Sequence, residues 1–480
     1  MKKIINLFFN NISLTQIITK NSFWIIGGKL LGGILRALLV IFSARILGPD
    51  LYGGFSLAMN FVLIFSFLPE LGLTAILTRD LSKKESDKEK VFNGIFSLSI
   101  LISLFSYLLI LFLGKIFIKY EISLKILPIL GIMMIFDVLR EFSYSVYRAE
   151  LKGELHGIFH FLTNLILFII GVYSLYRFRS PIYLSYAYFV GVGLGCILSF
   201  SFLGKYIKNF RFLFNLKLYK DFFNSSWPIA LANALYLLLL FIDSIILGWF
   251  FPSYYVGLYT SSVKVNEFLV VIPSGISLAI LPMISKNLNN KDRIKKILEL
   301  GFKLTFIIIL PIIFAVFVLA NNMISFIFGP KYILGSYALK ILIPSLLPIT
   351  IFMIFSQFLI AIDRRKELII YDFLAFFINF VVNLFIIPKF DYIGAAYTTS
   401  LSNFLLFLFG FYVVKRYVDF ELWSFSYKPL IASLIMVIFI IFLKNLQILL
   451  ISFLGALIYL IVLFLLKEEI LQKLYYNLIK

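Results

Sequence analysis

The residues best placed to do chemistry are two cations in a stretch where cations are costly. Lys29 and Arg36 lie inside Ser22 to Leu47, an otherwise apolar run. That run is long enough to cross a bilayer core, which needs about 20 apolar residues. A charge at such depth costs roughly 2.5–3.5 kcal/mol on insertion scales, so it faces a polar cavity or a partner. The i, i+7 spacing covers nearly two helical turns and puts both side chains on one face. Two chemistries fit. The pair can make a cationic floor for a phosphate or pyrophosphate, which arginine grips through paired hydrogen bonds. Alternatively, each can neutralise a carboxylate on another helix, such as Asp137, Glu141 or Asp243.

Other intramembrane polar residues divide in the same way. Arg140 and Lys264 are further candidates for a cationic, substrate-binding cavity. Asp137, Arg140 and Glu141 share a helix face and can satisfy one another, as Lys264 and Glu267 can at i, i+3. Tyr144 and Tyr147 extend the first of these faces and could stack on sugar rings. Glu70, Asp243 and Glu267 are candidates for a coupling proton or sodium ion, because a carboxylate kept from water holds a proton more readily. Lys340 sits among apolar residues near Pro344 and Pro348; these prolines, with Pro273 and Pro311, are expected to kink helices.

Several chemistries find no support. His156 and His160 stand at i, i+4, but Glu154 is the only further ligand nearby in sequence, so no metal site is expected. Gly191-x-Gly193-x-Gly195 lies inside an apolar span with no strand before it, which reads as helix packing. No Walker sequence and no nucleophile–base pair stand out, so neither a catalytic residue nor a cofactor is expected. The single cysteine, Cys196, rules out an intramolecular disulfide.

The elements that must position these residues are membrane helices. The 480-residue chain is 61% hydrophobic and 14% charged, against about 25% charged for a soluble domain. The expectation is an all-α polytopic protein of about fourteen spans. They fall near 22–47, 52–78, 91–118, 124–148, 155–176, 182–204, 227–250, 255–281, 298–320, 332–362, 367–388, 392–414, 428–443 and 446–466. The net charge of +20 resides mostly in the termini and even-numbered connections. The positive-inside rule then places both termini in the cytoplasm, and membrane orientation, not nucleic acid, explains the basic balance. Residues 1–21 read as a retained amphipathic lead-in without a cleavage site.

A duplication is visible. Ser22-Phe23-Trp24 matches Ser226-Trp227-Pro228, and Ile46-Leu47-Gly48 matches Ile246-Leu247-Gly248. Arg148 to Leu155 resembles Arg364 to Leu368, and Ala187-Tyr188 parallels Ala396-Tyr397. Six spans separate the copies, so they run parallel, related by an axis along the membrane normal. The domains expected are an N-lobe at 22–204, a linker at 205–226, a C-lobe at 227–415, two extra helices within 428–466 and a cytoplasmic tail at 467–480.

The run Ala44-Arg45-Ile46-Leu47-Gly48-Pro49-Asp50-Leu51-Tyr52-Gly53 resembles the A-R-x-L-G-P-x-x-Y-G signature of polysaccharide biosynthesis proteins, the oligosaccharide flippases. Leu71 to Arg79 resembles the element that follows it in those proteins. The resemblance implies membership of the multidrug/oligosaccharidyl-lipid/polysaccharide exporter superfamily, with two six-helix lobes in a V that alternate between inward and outward openings. It implies a non-enzymatic flippase in the cytoplasmic membrane that carries polyprenyl-(pyro)phosphate-linked oligosaccharide for cell-surface polysaccharide or glycoprotein assembly. The implied partners are that cargo, membrane lipids and glycan assembly enzymes. The signature also implies a structural job for Arg45, Gly48, Pro49, Tyr52 and Gly53. In related flippases two extra C-terminal spans shape a groove for the lipid tail, a role open to 428–443 and 446–466. The rivals are a multidrug cation antiporter on the same fold, a membrane glycan polymerase or glycosyltransferase, and a helper that organises a glycan assembly complex. The antiporter would want carboxylates, not cations, in the first span. The polymerase would want a catalytic region that these short connections do not contain.

Overall fold

The computed structural model describes residues 14–83, 87–443, 447–470 and 472, and their regular structure is helical throughout. Most of the expected N-terminal lead-in, residues 84–86 of the second connection and the end of the tail lie outside the described residues. The chain forms two compact units, Met1–Gly257 and Leu258–Lys480.

The first unit holds α1 (Leu14–Phe65), α2 (Phe67–Glu70), α3 (Leu73–Leu81), α4 (Lys88–Phe117), α5 (Glu121–Ala149), α6 (Gly153–Phe178), α7 (Pro181–Ser201) and α8 (Leu216–Phe250). α9 (Ser253–Ser285) starts there and continues into the second unit. The second unit adds α10 (Lys291–Phe328), α11 (Gly335–Leu342), α12 (Leu346–Ala361), α13 (Arg365–Tyr417), α14 (Tyr427–Phe442) and α15 (Ile448–Leu465).

Local sequence explains where these helices start. The side chains of Asp87, Asn215 and Asn290 each accept the third backbone N–H that follows them, capping α4, α8 and α10. Ser180 caps α7 with Pro181 in the first helical position. Because Asn215 caps so early, residues 216–226, expected as linker, are the opening turns of α8. The preceding segment is pinned to α4. Asn93 donates to the Asn209 carbonyl at 2.8 Å and accepts from the Arg211 amide, while Ser97 accepts from the Leu213 amide.

Breaks inside the apolar runs also follow from residue type. α1 kinks at Gly48, whose φ of 75° suits glycine, and Pro49 opens the next helical segment. α13 kinks at Asp391, which adopts a φ of 47° while its carboxylate caps the Ile393 amide at 3.1 Å. The expected span at 52–78 is interrupted at Leu71-Gly72, both with positive φ. Pro344 falls in a 3-10 turn that separates α11 from α12, whereas helix continues through Pro273 and Pro311. Among the described residues eleven helices are long and apolar enough to cross a membrane. Fourteen crossings would require the kinked α1 and α13 to count twice each and the shorter α14 to cross as well.

Small residues set the packing of the first unit. Membrane helices associate by close fit, since lipid offers no hydrophobic drive between them. A Cβ at Gly28 would collide with the backbone of Gly157, and one at Gly157 with the backbone of Trp24. Gly32 abuts His160 and Asn164, and Leu39 fills the notch at Gly171. The start of α1 is fixed to α6 by Lys20, 3.1 Å from Glu154, and by Asn21, which accepts the Gly153 amide. In the second unit Phe302, Phe306, Phe355, Phe358 and Phe420 form an aromatic core. There α14 and α15 pack on α10 through Leu319, Met436, Ile440, Ile451 and Leu463. Tyr459 donates to the Ile307 carbonyl, and Lys303 pairs with Glu468 at 2.9 Å.

The glycine seam makes a paired test. Gly28→Leu should destabilise the folded chain by roughly 3 kcal/mol through overpacking. Gly27→Leu, where a Cβ meets nothing within 4 Å, should melt close to the wild type in the same detergent.

Candidate functional site

The seam on α6 decides where the α1 cations point. Gly28, Gly32 and Leu39 are buried in it, so Lys29 and Arg36, which lie off that stripe, remain exposed. Neither has a carboxylate within ion-pair distance among the described residues. Arg36 lies within electrostatic reach of Tyr188 on α7. Lys29 lies within electrostatic reach of Glu141 on α5 and of His156 and His160 on α6.

A second layer of charge lies on α5. Arg140 is 5% exposed and bonds Asp137 at 2.6 Å, with Glu141 at 3.8 Å. Arg148 stands 3.9 Å from Glu141 and donates to the Ser145 hydroxyl at 2.7 Å. Glu70, from α2, is an electrostatic neighbour of Glu141, Asp137 and Arg148. The guanidinium of Arg140 also lies 5.4 Å from the centre of the buried Tyr144 ring, which stacks on His156 at 4.6 Å. The Arg140 Nε, the Tyr144 hydroxyl and both His156 nitrogens find no hydrogen-bond partner among the described residues. Asn164 donates to the His160 carbonyl at 2.8 Å, closing the layer against Gly32.

The structure therefore brings Lys29, Arg36, Glu70 and Arg140 into one polar region of the first unit. It does not leave all the expected cations free. Arg140 is buried against Asp137, because the i, i+3 spacing lets one helix satisfy its own charge. Lys264 pairs in the same way with Glu267 at 2.7 Å, in the second unit. Asp243 is 1% exposed on α8. Sequence reasoning missed Arg148 as part of the α5 layer, and Tyr188 and the Tyr144–His156 stack as neighbours of the α1 cations. Arg148 could have been found, since it lies seven residues beyond Glu141 on the same face. Tyr188 could not, because its meeting with Arg36 depends on the rotation of α7. No group of three or more His, Cys, Asp or Glu able to hold a metal ion occurs among the described residues.

The signature turn has its own geometry. Gly48 makes the kink, Tyr52 is 2% exposed and Arg45 is exposed. A Cβ on Gly53 would strike the backbone of Ser253 and Gly257, and one on Gly257 would strike Pro49. The Ser253 hydroxyl donates to the Asp50 carboxylate. The first copy of the repeated turn thus packs directly on the start of the second.

Known proteins resemble the chain in sequence and in fold. CapF, a capsular polysaccharide biosynthesis protein of Staphylococcus aureus, is 25% identical over 410 residues, covering 83% of this chain and 99% of CapF. Agl15, a probable low-salt glycan biosynthesis flippase of Haloferax volcanii, is 22% identical over 162 residues, 33% of this chain and 34% of Agl15. Among solved structures, the inward closed conformation of the lipid II flippase MurJ superposes with a TM-score of 0.79 at 18% identity, covering 94% of this chain and 99% of MurJ. Residues 228–385 match the MatE family model. Residues 18–288 match the model described as polysaccharide biosynthesis protein, and with that match over more than half its length the chain belongs to this family of multi-pass membrane proteins.

Proposed function

We propose that this protein is a flippase that moves a polyprenyl-(pyro)phosphate-linked oligosaccharide across the cytoplasmic membrane, supplying cell-surface polysaccharide or glycoprotein assembly. The observation that carries the reading is the exposed, carboxylate-free pair Lys29 and Arg36 on an apolar helix. A cation left without a partner at such a position needs either water or an anionic ligand. A phosphate head group supplies the anion and its hydrocarbon tail stays in lipid. Arg36 grips the phosphate and Lys29 adds a point charge, with Tyr188 beside Arg36. The names of CapF and Agl15 support a glycan precursor as cargo.

In this reading the chain is a transporter and not an enzyme, and access alternates between the two sides of the membrane. Both termini are cytoplasmic, as the basic even-numbered connections favour. Glu70 is the foremost candidate for a coupling ion, because it borders the charged layer, with Asp243 and Glu267 behind it. Arg140 and Lys264 are neutralised by carboxylates of their own helices. Arg45, Gly48, Pro49, Tyr52 and Gly53 shape the turn. Glycan assembly enzymes are the expected protein partners. A drug-cation antiporter is disfavoured by like charge, since Lys29 and Arg36 would repel its substrate.

Two tests follow. In cells lacking the protein, labelled lipid-linked precursor should stay inaccessible to an impermeant sugar probe outside. Wild type should restore exposure, and Lys29→Ala/Arg36→Ala, expressed equally, should slow it by about tenfold or more, the effect of losing one to two charge-assisted hydrogen bonds. Normal delivery in the null strain, with no paralogue present, would sink the flippase reading. For the paired layer, Arg140→Gln should lower thermal stability, and adding Asp137→Asn should restore part of the loss. The coupling in that double-mutant cycle should be about 0.5–3 kcal/mol, and additivity would show that the pair does not hold the unit together.

A further inference from the structure

The second unit contains a cavity of about 480 Å³ lined by Phe317, Tyr337, Lys340, Ile341, Tyr392, Ile393 and Tyr397, within the size range of small-molecule sites. Its walls are fixed by the backbone. The Tyr392 hydroxyl donates to the Leu334 carbonyl at 3.0 Å, and Ser400 donates to the Ile341 carbonyl at 2.9 Å. Lys340 is the only charged residue of the lining. It has no carboxylate within ion-pair distance among the described residues, and its ammonium lies 5.8 Å from the centre of the Tyr337 ring. The nearest acidic residue in sequence to the lining, Asp391, is occupied in capping Ile393.

The contrast with α5 is informative. Three residues before Arg140 stands Asp137, which neutralises it. Three residues before Lys340 stands Tyr337, which offers a ring face and no charge. The rings of Tyr337 and Tyr397 are 54% and 56% exposed, enough to stack on a ligand. A second cavity of about 390 Å³ shares Tyr397 and is otherwise lined by Val382, Ile386, Phe390, Thr398 and Leu401. One lysine, three tyrosines and an apolar annex make an amphipathic site.

We propose that these adjoining cavities bind the glycosyl-phosphate end of an isoprenoid-linked sugar, with the phosphate on Lys340, the first sugar ring against the exposed Tyr337 and Tyr397 above the buried Tyr392, and the start of the hydrocarbon chain in the annex. The inference rests on the flippase reading for the identity of the lipid and adds a second station to it. Tyrosine faces favour a sugar over a bare phospholipid head group, because a pyranose ring presents C–H groups that stack on aromatic rings while a simple phosphate does not. Under the topology proposed above, the station lies toward the outer side, where cargo leaves.

The test uses the full chain in phosphatidylcholine nanodiscs, with Lys29→Ala/Arg36→Ala already introduced so that the first-unit cations do not contribute. The probe is a synthetic farnesyl-pyrophosphate-linked N-acetylglucosamine; farnesyl pyrophosphate without sugar and phosphatidylglycerol are the competitors. Adding Lys340→Ala should weaken probe binding by about tenfold, and Lys340→Arg should hold it within about twofold. Tyr397→Leu should weaken the sugar-bearing probe more than farnesyl pyrophosphate. Each variant must keep the parent melting temperature, and Lys340→Gln replaces Lys340→Ala if it does not. Unchanged binding on removal of the Lys340 charge overturns the site, as does equal displacement by phosphatidylglycerol, which would make it a bilayer-phosphate site. Loss of the site with normal flipping in cells removes only the second station. Binding as expected in a protein whose null strain delivers precursor normally removes the flippase reading and leaves the sugar-phosphate site.

Discussion

An ionised side chain in an apolar helix must be answered by another charge, by water or by a ligand, and in this chain those answers organise the molecule. Lys20 is answered by Glu154, Arg140 by Asp137, Lys264 by Glu267 and Lys303 by Glu468. These pairs tie α1 to α6, brace α5 and α9 internally, and fasten α10 to the segment after α15. At an effective dielectric of about 20, opposite charges 4 Å apart attract by about 4 kcal/mol, against a desolvation cost of several kcal/mol per ion. Such pairs contribute position and register more than net stability. Among the described residues, Lys29, Arg36 and Lys340 have no carboxylate within ion-pair distance.

The exceptions exist because small residues fix helix rotation. Had α1 packed on α6 through large side chains, the helix could settle in several rotations. The backbone-to-backbone fit of Gly28 on Gly157 permits only one close approach. Once that seam is buried, Lys29 and Arg36 have no room inside it. The same logic operates at the signature turn, where Gly53 and Gly257 let two helix starts cross without side chains between them. Gly48 supplies the backbone reversal that brings Pro49 and Asp50 to Ser253.

This division also explains what could be read before the structure. The apolar runs and the i, i+3 pairing of Lys264 with Glu267 are local patterns, and local patterns survive in one dimension. The kink at Asp391 falls in the connection expected between 388 and 392, whereas the break at Leu71-Gly72 lies inside the expected span 52–78, where no turn residue besides the glycine marks it. The early start of α8 was missed because Asn215 was read as part of a basic linker and not as a cap. The neighbours of the α1 cations were harder still. Tyr188 and the Tyr144–His156 stack border them from α7, α5 and α6, through rotations that no single helix encodes.

What the paired and unpaired cations do together is discriminate. A neutral polar cavity would hold a sugar, and so would any row of tyrosines, but neither would exclude a hydrophobic cation. In the proposed function the two exposed cations of α1 would do so, since a like charge at about 4 Å costs what an opposite charge gains. The carboxylates of the second layer do not cancel this field, because Asp137 is committed to Arg140 and Glu141 lies between Arg140 and Arg148. Under the proposed function an anion would meet the exposed cations of α1 beside a layer whose carboxylates, Glu70 apart, stand within 4 Å of an arginine. In that reading it is the pairing of the deeper charges, not the number of basic residues, that would suit the first unit to phosphate-bearing cargo.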